Sequence, residues 1–273
     1  MSEPRHFRNR ITVRRSENGI AYVALARPEK YNGLDLDMLY GLVDAAKSLR
    51  RDRALRAVIL QGEGKAFCAG LDFASVLGKP LGLLRAFIKW GGRRTNIFQQ
   101  ACWAWRELPV PVIAVTHGHC FGGGLQIALA ADFRFTTPDC EFSVMESKWG
   151  LIPDMTGSVS LRELVPMDVA KALTMTGRII SGEEALHLNL VTGVSDDPLA
   201  DAEALAQELL QRSPDALAAT KRLFHEAWAA PEDIAFDLES KYQFRLLRGK
   251  NQRRAMQAAR NKEAPTFLPR QFD

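Results

Sequence analysis

The chain has 273 residues, of which 47% are apolar and 25% charged, the balance of a protein with a full apolar core; disordered and collagen-like chains are excluded. The 36 Lys and Arg exceed the 32 Asp and Glu by four charges, too slight a surplus to indicate nucleic acid. Four cysteines are too few for a disulfide scaffold and fit a reducing compartment, and MSEPRHFRNRITVRR has no apolar signal region, so the expectation is a cytoplasmic protein.

Ala21 to Ala26 is predicted as a strand that stops at Arg27-Pro28. Asn32 or Asp35 can cap the helix that follows to about Arg50, where Leu36, Leu39, Leu42, Val43 and Ala46 form a 3.6-residue stripe. Ala57 to Gly62 is a second strand, and Phe73 to Glu107 a mostly helical insertion with Trp90, Phe98, Trp103 and Trp105. That aromatic stripe is read first as core and second as the roof of an apolar substrate chain. Val110 to Thr116 is a third strand, and DFRFTT and EFSV are further strands separated by Pro138-Asp139. Leu108 to Ala131 lacks Asp, Glu, Lys and Arg over 24 residues, but Pro109, Pro111 and a glycine run break any spanning helix. Beyond Gly157 the periodicity is helical, with Pro198, Pro214 and Pro231 near helix starts and one late strand at Leu190 to Val194. Composition shifts at Pro198, which suggests a mixed core over 1–197 and a helical region over 198–273.

Two glycine-containing turns carry the chemistry: Cys68-Ala69-Gly70-Leu71-Asp72, and Gly122-Gly123-Gly124 at the start of an apolar helix. A glycine run opening a helix exposes backbone N–H groups that no intrahelical carbonyl satisfies. The dinucleotide spacing is absent, and Ile59 stands where a P-loop needs glycine. Two options remain: opposed N–H groups forming an oxyanion hole, or glycines needed only for close packing.

Together the segments ARPEKYNGL (Ala26 to Leu34), GKAFCAGLDF (Gly64 to Phe73) and HGHCFGGGLQIALAADFRF (His117 to Phe135) resemble the crotonase, or enoyl-CoA hydratase/isomerase, superfamily. FSVMESKWGLIPD (Phe142 to Asp154) and TGRIISGEEALHLNLV (Thr176 to Val191) extend the resemblance over nearly the whole chain. It implies an α/β fold, a spiral of ββα turns with a helical C-terminal trimerisation region. It also implies an acyl-CoA thioester substrate and a homotrimer or dimer of trimers. No cofactor is expected beyond the coenzyme A carried by the substrate, and no metal, nucleic acid or membrane. The oxyanion-hole donors fall on the backbone N–H of Leu71 and Gly123. The two glutamates of enoyl-CoA hydratases fall on Gln126 and Glu146, so the first is an amide, unable to accept a proton at neutral pH. Asp154 stands where dienoyl-CoA isomerases place an aspartate, although it could also be a helix cap. The set Glu146, Asp154 and Gln126 therefore resembles an isomerase site, with a 2-enoyl-CoA hydratase as the alternative. Lys30 and the main chain of Ala66, Ala69 and Asp72 would hold coenzyme A, and Lys241, Arg245, Arg248, Arg253 and Arg254 from a neighbouring subunit could join them.

Four further readings compete. The basic stretch Lys241–Lys262 could bind nucleic acid, but Asp233, Asp237 and Glu239 lie close by and no aromatic interleaving marks a stacking surface. Gln126 alone suggests a non-catalytic CoA-binding scaffold. His117-Gly118-His119-Cys120 as a metal site, and Cys68 as a nucleophile, lack converging partners.

Overall fold

The computed structural model describes residues 1–92 and 94–273, except for the side chain of Trp90, so that part of the aromatic stripe lies outside the described residues. Its centre is a seven-stranded sheet. Strands β1 (Arg5–Phe7), β2 (Ile11–Arg15) and β3 (Ile20–Leu25) form an antiparallel meander. The strands β4 (Ala57–Gly62), β5 (Val112–Thr116), β7 (Phe133–Thr136) and β9 (Gly193–Val194) then add in parallel. A small second sheet pairs β6 (His119–Phe121) with β8 (Glu141–Ser143), also in parallel. Cys68 extends it by a bridge to Cys120, and Ile180 by a bridge to Phe142. Successive chain turns thus place one segment in the large sheet and the next in the small one, which is the ββα spiral.

The central strands β3, β4 and β5 are apolar along most of their length because both faces of the sheet are covered there. On one face Val58, Leu60, Val112 and Ala114 pack with Leu39, Leu42 and Ala46 of α1 (Leu36–Arg50). Asp35 starts α1, its carboxylate accepting the N–H of Met38 at 2.7 Å. The insertion forms α2 (Phe73–Leu77), α3 (Pro80–Phe87) and α4 (Ile97–Arg106). Trp105 of α4 is fully buried, and Phe98 nearly so. The apolar helix α5 (Gly123–Leu129) is buried along its length. After β8 come α6 (Gly157–Leu164), α7 (Met167–Thr176) and α8 (Gly182–His187).

On the other face, Ile20, Ala57, Ile59, Ile113 and Val115 pack against Ala202 and Ala206 of α9 (Pro198–Leu210). The helix that begins at Pro198 is thus a layer of the sheet domain in packing terms. A separate apolar cluster starts only with α10 (Pro214–Ala227), α11 (Glu232–Leu247) and α12 (Lys250–Asn261), around Ala218, Ala219, Tyr242 and Phe272. Asp215 secures the C-terminal tail there, accepting from Asn251 at 2.8 Å and from the N–H of Phe272 at 2.7 Å. No described helix is long and apolar enough to cross a membrane.

Candidate active site

Three loops, which follow β3, β4 and β6, converge beyond the carboxyl ends of the parallel strands, the customary place for a ligand site in such folds. Asn32, fully buried, binds the first loop to the second. Its side-chain oxygen accepts the N–H of Arg27 at 2.9 Å, and its amide donates to the carbonyls of Glu63 (2.9 Å) and Ala66 (2.8 Å). Leu34 then grips the backbone on both sides of Leu71. Its N–H donates to Gly70 O at 2.8 Å, and its carbonyl accepts the N–H of Asp72 at 3.0 Å. In this parallel bridge the N–H of Leu71 itself points away from Leu34, and it takes no acceptor among the described residues.

The glycine triplet holds the third loop against the second. A Cβ on Gly124 would come within 2.6 Å of Cys68 Cβ and 2.7 Å of Cys68 O, so a larger residue would push the two loops apart. Gly122, at φ +50°, turns the chain from β6 into α5 in a conformation that side chains rarely adopt. Gly123 is the first residue of α5, and its N–H, which no intrahelical carbonyl can reach, also lacks a partner among the described residues.

Beside this pair of N–H groups lies a cavity of about 560 Å³, lined by Gly70, Leu71, Gly122, Gly123, Glu146 and Asp154 among others. Glu146, on the short turn Met145–Trp149 after β8, is buried. Its Oε1 accepts a bond from Gln126 Nε2 at 2.6 Å, while its Oε2 is buried without a hydrogen-bond partner among the described residues. Burial pushes its carboxyl above 4.5, the ordinary glutamate value, and the nearby negative charge of Asp154 adds to the rise.

Gln126 is fixed from behind. Its Oε1 accepts the N–H groups of Met155 and Gly157, both at 2.9 Å, where α6 begins. Two donors around that oxygen leave only the NH₂ end to face Glu146. The cap option for Asp154 is overturned by this arrangement. Thr156 is the cap residue, at φ +73° with no capping bond from its side chain, and the Gly157 N–H goes to Gln126. Asp154 instead faces the cavity, and burial raises its carboxyl above 3.8.

The other predicted residues divide into framework and surface. Asp72 caps α2 by accepting the N–H of Ser75 at 3.1 Å, and pairs with the buried Arg27 at 2.9 Å. Sequence reasoning missed that ion pair, because nothing in the spacing of positions 27 and 72 marks it. The N–H of Ala69 donates to Tyr31 O at 2.9 Å, Ala66 is buried, and Lys30 is exposed. Of the basic residues on α11 and α12, Arg245 covers Phe272 at 4.3 Å and Arg254 donates to Thr266 O at 3.2 Å, both holding the C-terminal tail. His117 meets Gly64 O and His119 faces Glu141, so the histidines diverge, and no group that could hold a metal occurs among the described residues. Burial pushes the Cys68 thiol up to about 12, and its Sγ donates to Asn32 O, which is opposite to what a nucleophile needs. Sequence reasoning also missed the apolar wall from Val76, Leu77, Leu83 and Phe87. A possible signal was the excess of apolar residues over what short helices α2 and α3 can bury.

The enoyl-CoA hydratase/isomerase family profile matches residues 15–270. A carnitinyl-CoA dehydratase of Salmonella agona is 36% identical over 228 residues, covering 81% of this chain and 83% of that protein. An enoyl-CoA hydratase from Polaromonas sp. JS666 superposes with a TM-score of 0.83 at 28% identity, over 94% of this chain and 99% of that one. One from Bacillus anthracis gives 0.85 at 25% identity, over 94% and 98%. With its crotonase fold and this family match, the chain belongs to the enoyl-CoA hydratase/isomerase family and is an acyl-CoA-processing enzyme.

Proposed function

We propose that the enzyme shifts a proton and a double bond within an enoyl-CoA thioester, with Glu146 as the proton carrier. The observation that carries this reading is the bonding of Gln126. Its only lone-pair-bearing oxygen is occupied by Met155 and Gly157, and its NH₂ is turned to Glu146. Of the Gln126–Glu146 pair, therefore, only Glu146 can carry a proton beside the Gly123 turn, and Asp154 is the second carboxylate of the cavity.

In this mechanism the thioester oxygen accepts bonds from the N–H groups of Leu71 and Gly123. Glu146 Oε2 takes the α-proton of a 3-enoyl thioester, and the electron pair of the broken C–H bond moves onto the thioester oxygen to give an enolate. The pair then returns through carbon as the γ-carbon takes the proton back from Glu146, leaving the 2-enoyl isomer. Each oxyanion donor is typically worth about 3 kcal/mol to such a transition state. A carboxyl raised by burial is also a better-matched base than an ordinary glutamate. Asp154, in the same cavity, orients or exchanges the proton.

The similarity to a carnitinyl-CoA dehydratase favours a second reading, hydration or dehydration, with Glu146 as the sole acid/base and the remaining amide hydrogen of Gln126 on the water. Steady-state assays with matched 3-enoyl- and 2-enoyl-CoA thioesters separate the two: isomerisation without accumulation of the 3-hydroxy product supports the proposal, and faster hydration overturns it. Lys30 and the main chain around Ala66, Ala69 and Asp72 are proposed to receive coenzyme A. Assembly in multiples of three is proposed as well, supported by exposed Phe224, Trp228, Phe236 and Phe244 on or beside α10 and α11. Light scattering that finds a stable monomer at micromolar concentration would refute the assembly.

A further inference from the structure

We infer that α3 and the basic residues at its ends dock the enzyme on an anionic lipid surface. The inference is independent of the reaction proposed above. Two sides of α3 differ in what covers them. Gly82 and Ala86, one turn apart, face inward: a Cβ on Gly82 would come within 2.8 Å of Leu36 Cδ1 at the start of α1, and Ala86 is buried. Leu81, Leu84 and Ile88 follow one another at i, i+3 and i+7, the spacing that gathers side chains on one side of a helix. They form the outer side, and they are 73%, 61% and 42% exposed. A surface helix ordinarily turns a polar side to water. Here the only polar side chain between Pro80 and Ile88 is Arg85, so α3 presents a second apolar side to solvent.

Charge determines what that side fits. From Phe73 to Arg106 the chain carries six Lys and Arg and no Asp or Glu, although the sequence as a whole is nearly balanced. Lys79 stands immediately before α3, and Lys89 and Arg94 shortly after it. All three are exposed, and none forms an ion pair among the described residues. Eight helical residues span about 12 Å, so the cations bracket the apolar stripe on one short stretch of surface. An isologous contact between two copies through this side would set these cations against one another. Anionic head groups answer them instead, while the acyl region beneath receives Leu81, Leu84 and Ile88. The stripe stands on the outside of a helix, and a fluid bilayer covers such a shape without a matching groove. No described helix is long and apolar enough to cross a membrane, so the contact is peripheral, and the expectation of no membrane partner narrows to one of no spanning segment.

The test is co-sedimentation of the full-length enzyme with large unilamellar vesicles of phosphatidylcholine, alone or with about one-third phosphatidylserine. Binding to the anionic vesicles should exceed binding to the neutral ones at least tenfold and should weaken as salt is raised. Leu81→Gln combined with Leu84→Gln should reduce it at least tenfold. Lys79→Gln combined with Lys89→Gln should reduce it roughly 30-fold, as about 1 kcal/mol for each basic residue near the surface implies. None of these four side chains lines the cavity beside Glu146, so both double variants should keep the native circular dichroism and the native turnover of acyl-CoA in the absence of vesicles. Failure to bind anionic vesicles, equal binding to neutral ones, or binding that both folded variants leave intact overturns the inference. Without vesicle binding, an oligomer that the leucine variant dissociates in light scattering would assign the face to another copy of the chain, and tight binding of poly-glutamate would assign it to an acidic protein; either result also overturns the inference.

Discussion

Gln126→Glu is the most discriminating perturbation of this site, because the contacts around Gln126 fix what a carboxylate there would meet. One new oxygen would still accept the N–H groups of Met155 and Gly157, each at 2.9 Å in the native chain, so α6 keeps its anchor. The other would replace Nε2, which lies 2.6 Å from Glu146 Oε1. Two full charges at 2.6 Å repel by about 6 kcal/mol at an effective dielectric constant of about 20, equivalent to more than four pH units. The pair therefore retains one proton at neutral pH and titrates as a coupled dyad. A protonated and an ionised carboxyl side by side are what acid/base-assisted hydration requires, and the native amide withholds them. The ratio of kcat/KM for 2-enoyl-CoA hydration to that for 3-enoyl-CoA isomerisation should rise by roughly 10² or more, the low end of general acid/base effects. The assay follows both products from the same enzyme preparation across a pH series, with circular dichroism as a check on folding. An unchanged ratio in a folded variant would refute the claim that the amide at position 126 suppresses hydration.

Glu146→Gln should lower turnover by 10²- to 10⁴-fold with acyl-CoA binding little changed, measured by steady-state kinetics and calorimetry. Because burial holds the Glu146 carboxyl above 4.5, the folded state binds its proton more tightly than the unfolded chain, and stability from this group is lost as pH rises through the elevated value. The same variant should therefore be more stable than the native chain in denaturant titrations at neutral pH but not at acid pH; equal stability at both would contradict the burial argument. Asn32→Ala removes three buried hydrogen bonds and should cost about 2–4 kcal/mol, with kcat falling as Leu71 loses its setting; a shift in unfolding midpoint corresponding to less than 1 kcal/mol would refute this. His225 is held down to about 4 by burial and by Arg106 and Lys221, so the unfolded chain binds its proton first as pH falls from 6.5. Stability should decline between pH 6.5 and 4, by at most about 3 kcal/mol from this group, and His225→Gln should flatten that part of the pH–stability curve.

Features set by local chemistry were legible in the sequence. Asp35 caps α1 because a carboxylate one residue before an apolar stripe has the N–H of Met38 within reach. The apolar runs of β4 and β5 are strands because both faces are covered, and the Gly122–Gly124 triplet opens a helix as glycine runs do. What depended on distant partners was less legible. An aspartate shortly before a helix resembles a cap, yet at Asp154 a glutamine 28 positions upstream performs that service. The aromatic stripe of the insertion served both readings: Trp105 lies in the core, and Phe98 belongs to that core and also lines the cavity. The resemblance, not periodicity, brought Leu71 and Gly123 together, because backbone donors leave no signature in side-chain type.

The helix α9 has a consequence for how the chain is made. The face formed by Ile20, Ala57, Ile59, Ile113 and Val115 is complete by residue 136, yet the alanines that cover it, Ala202 and Ala206, are synthesised some seventy residues later. During that interval the nascent sheet presents a bare apolar surface to solvent or to a chaperone, and parallel strands of this kind are slow to pair. Ribosome-stalled chains ending before residue 198 should therefore bind holdase chaperones and resist native folding, and release should come once α9 has cleared the exit tunnel.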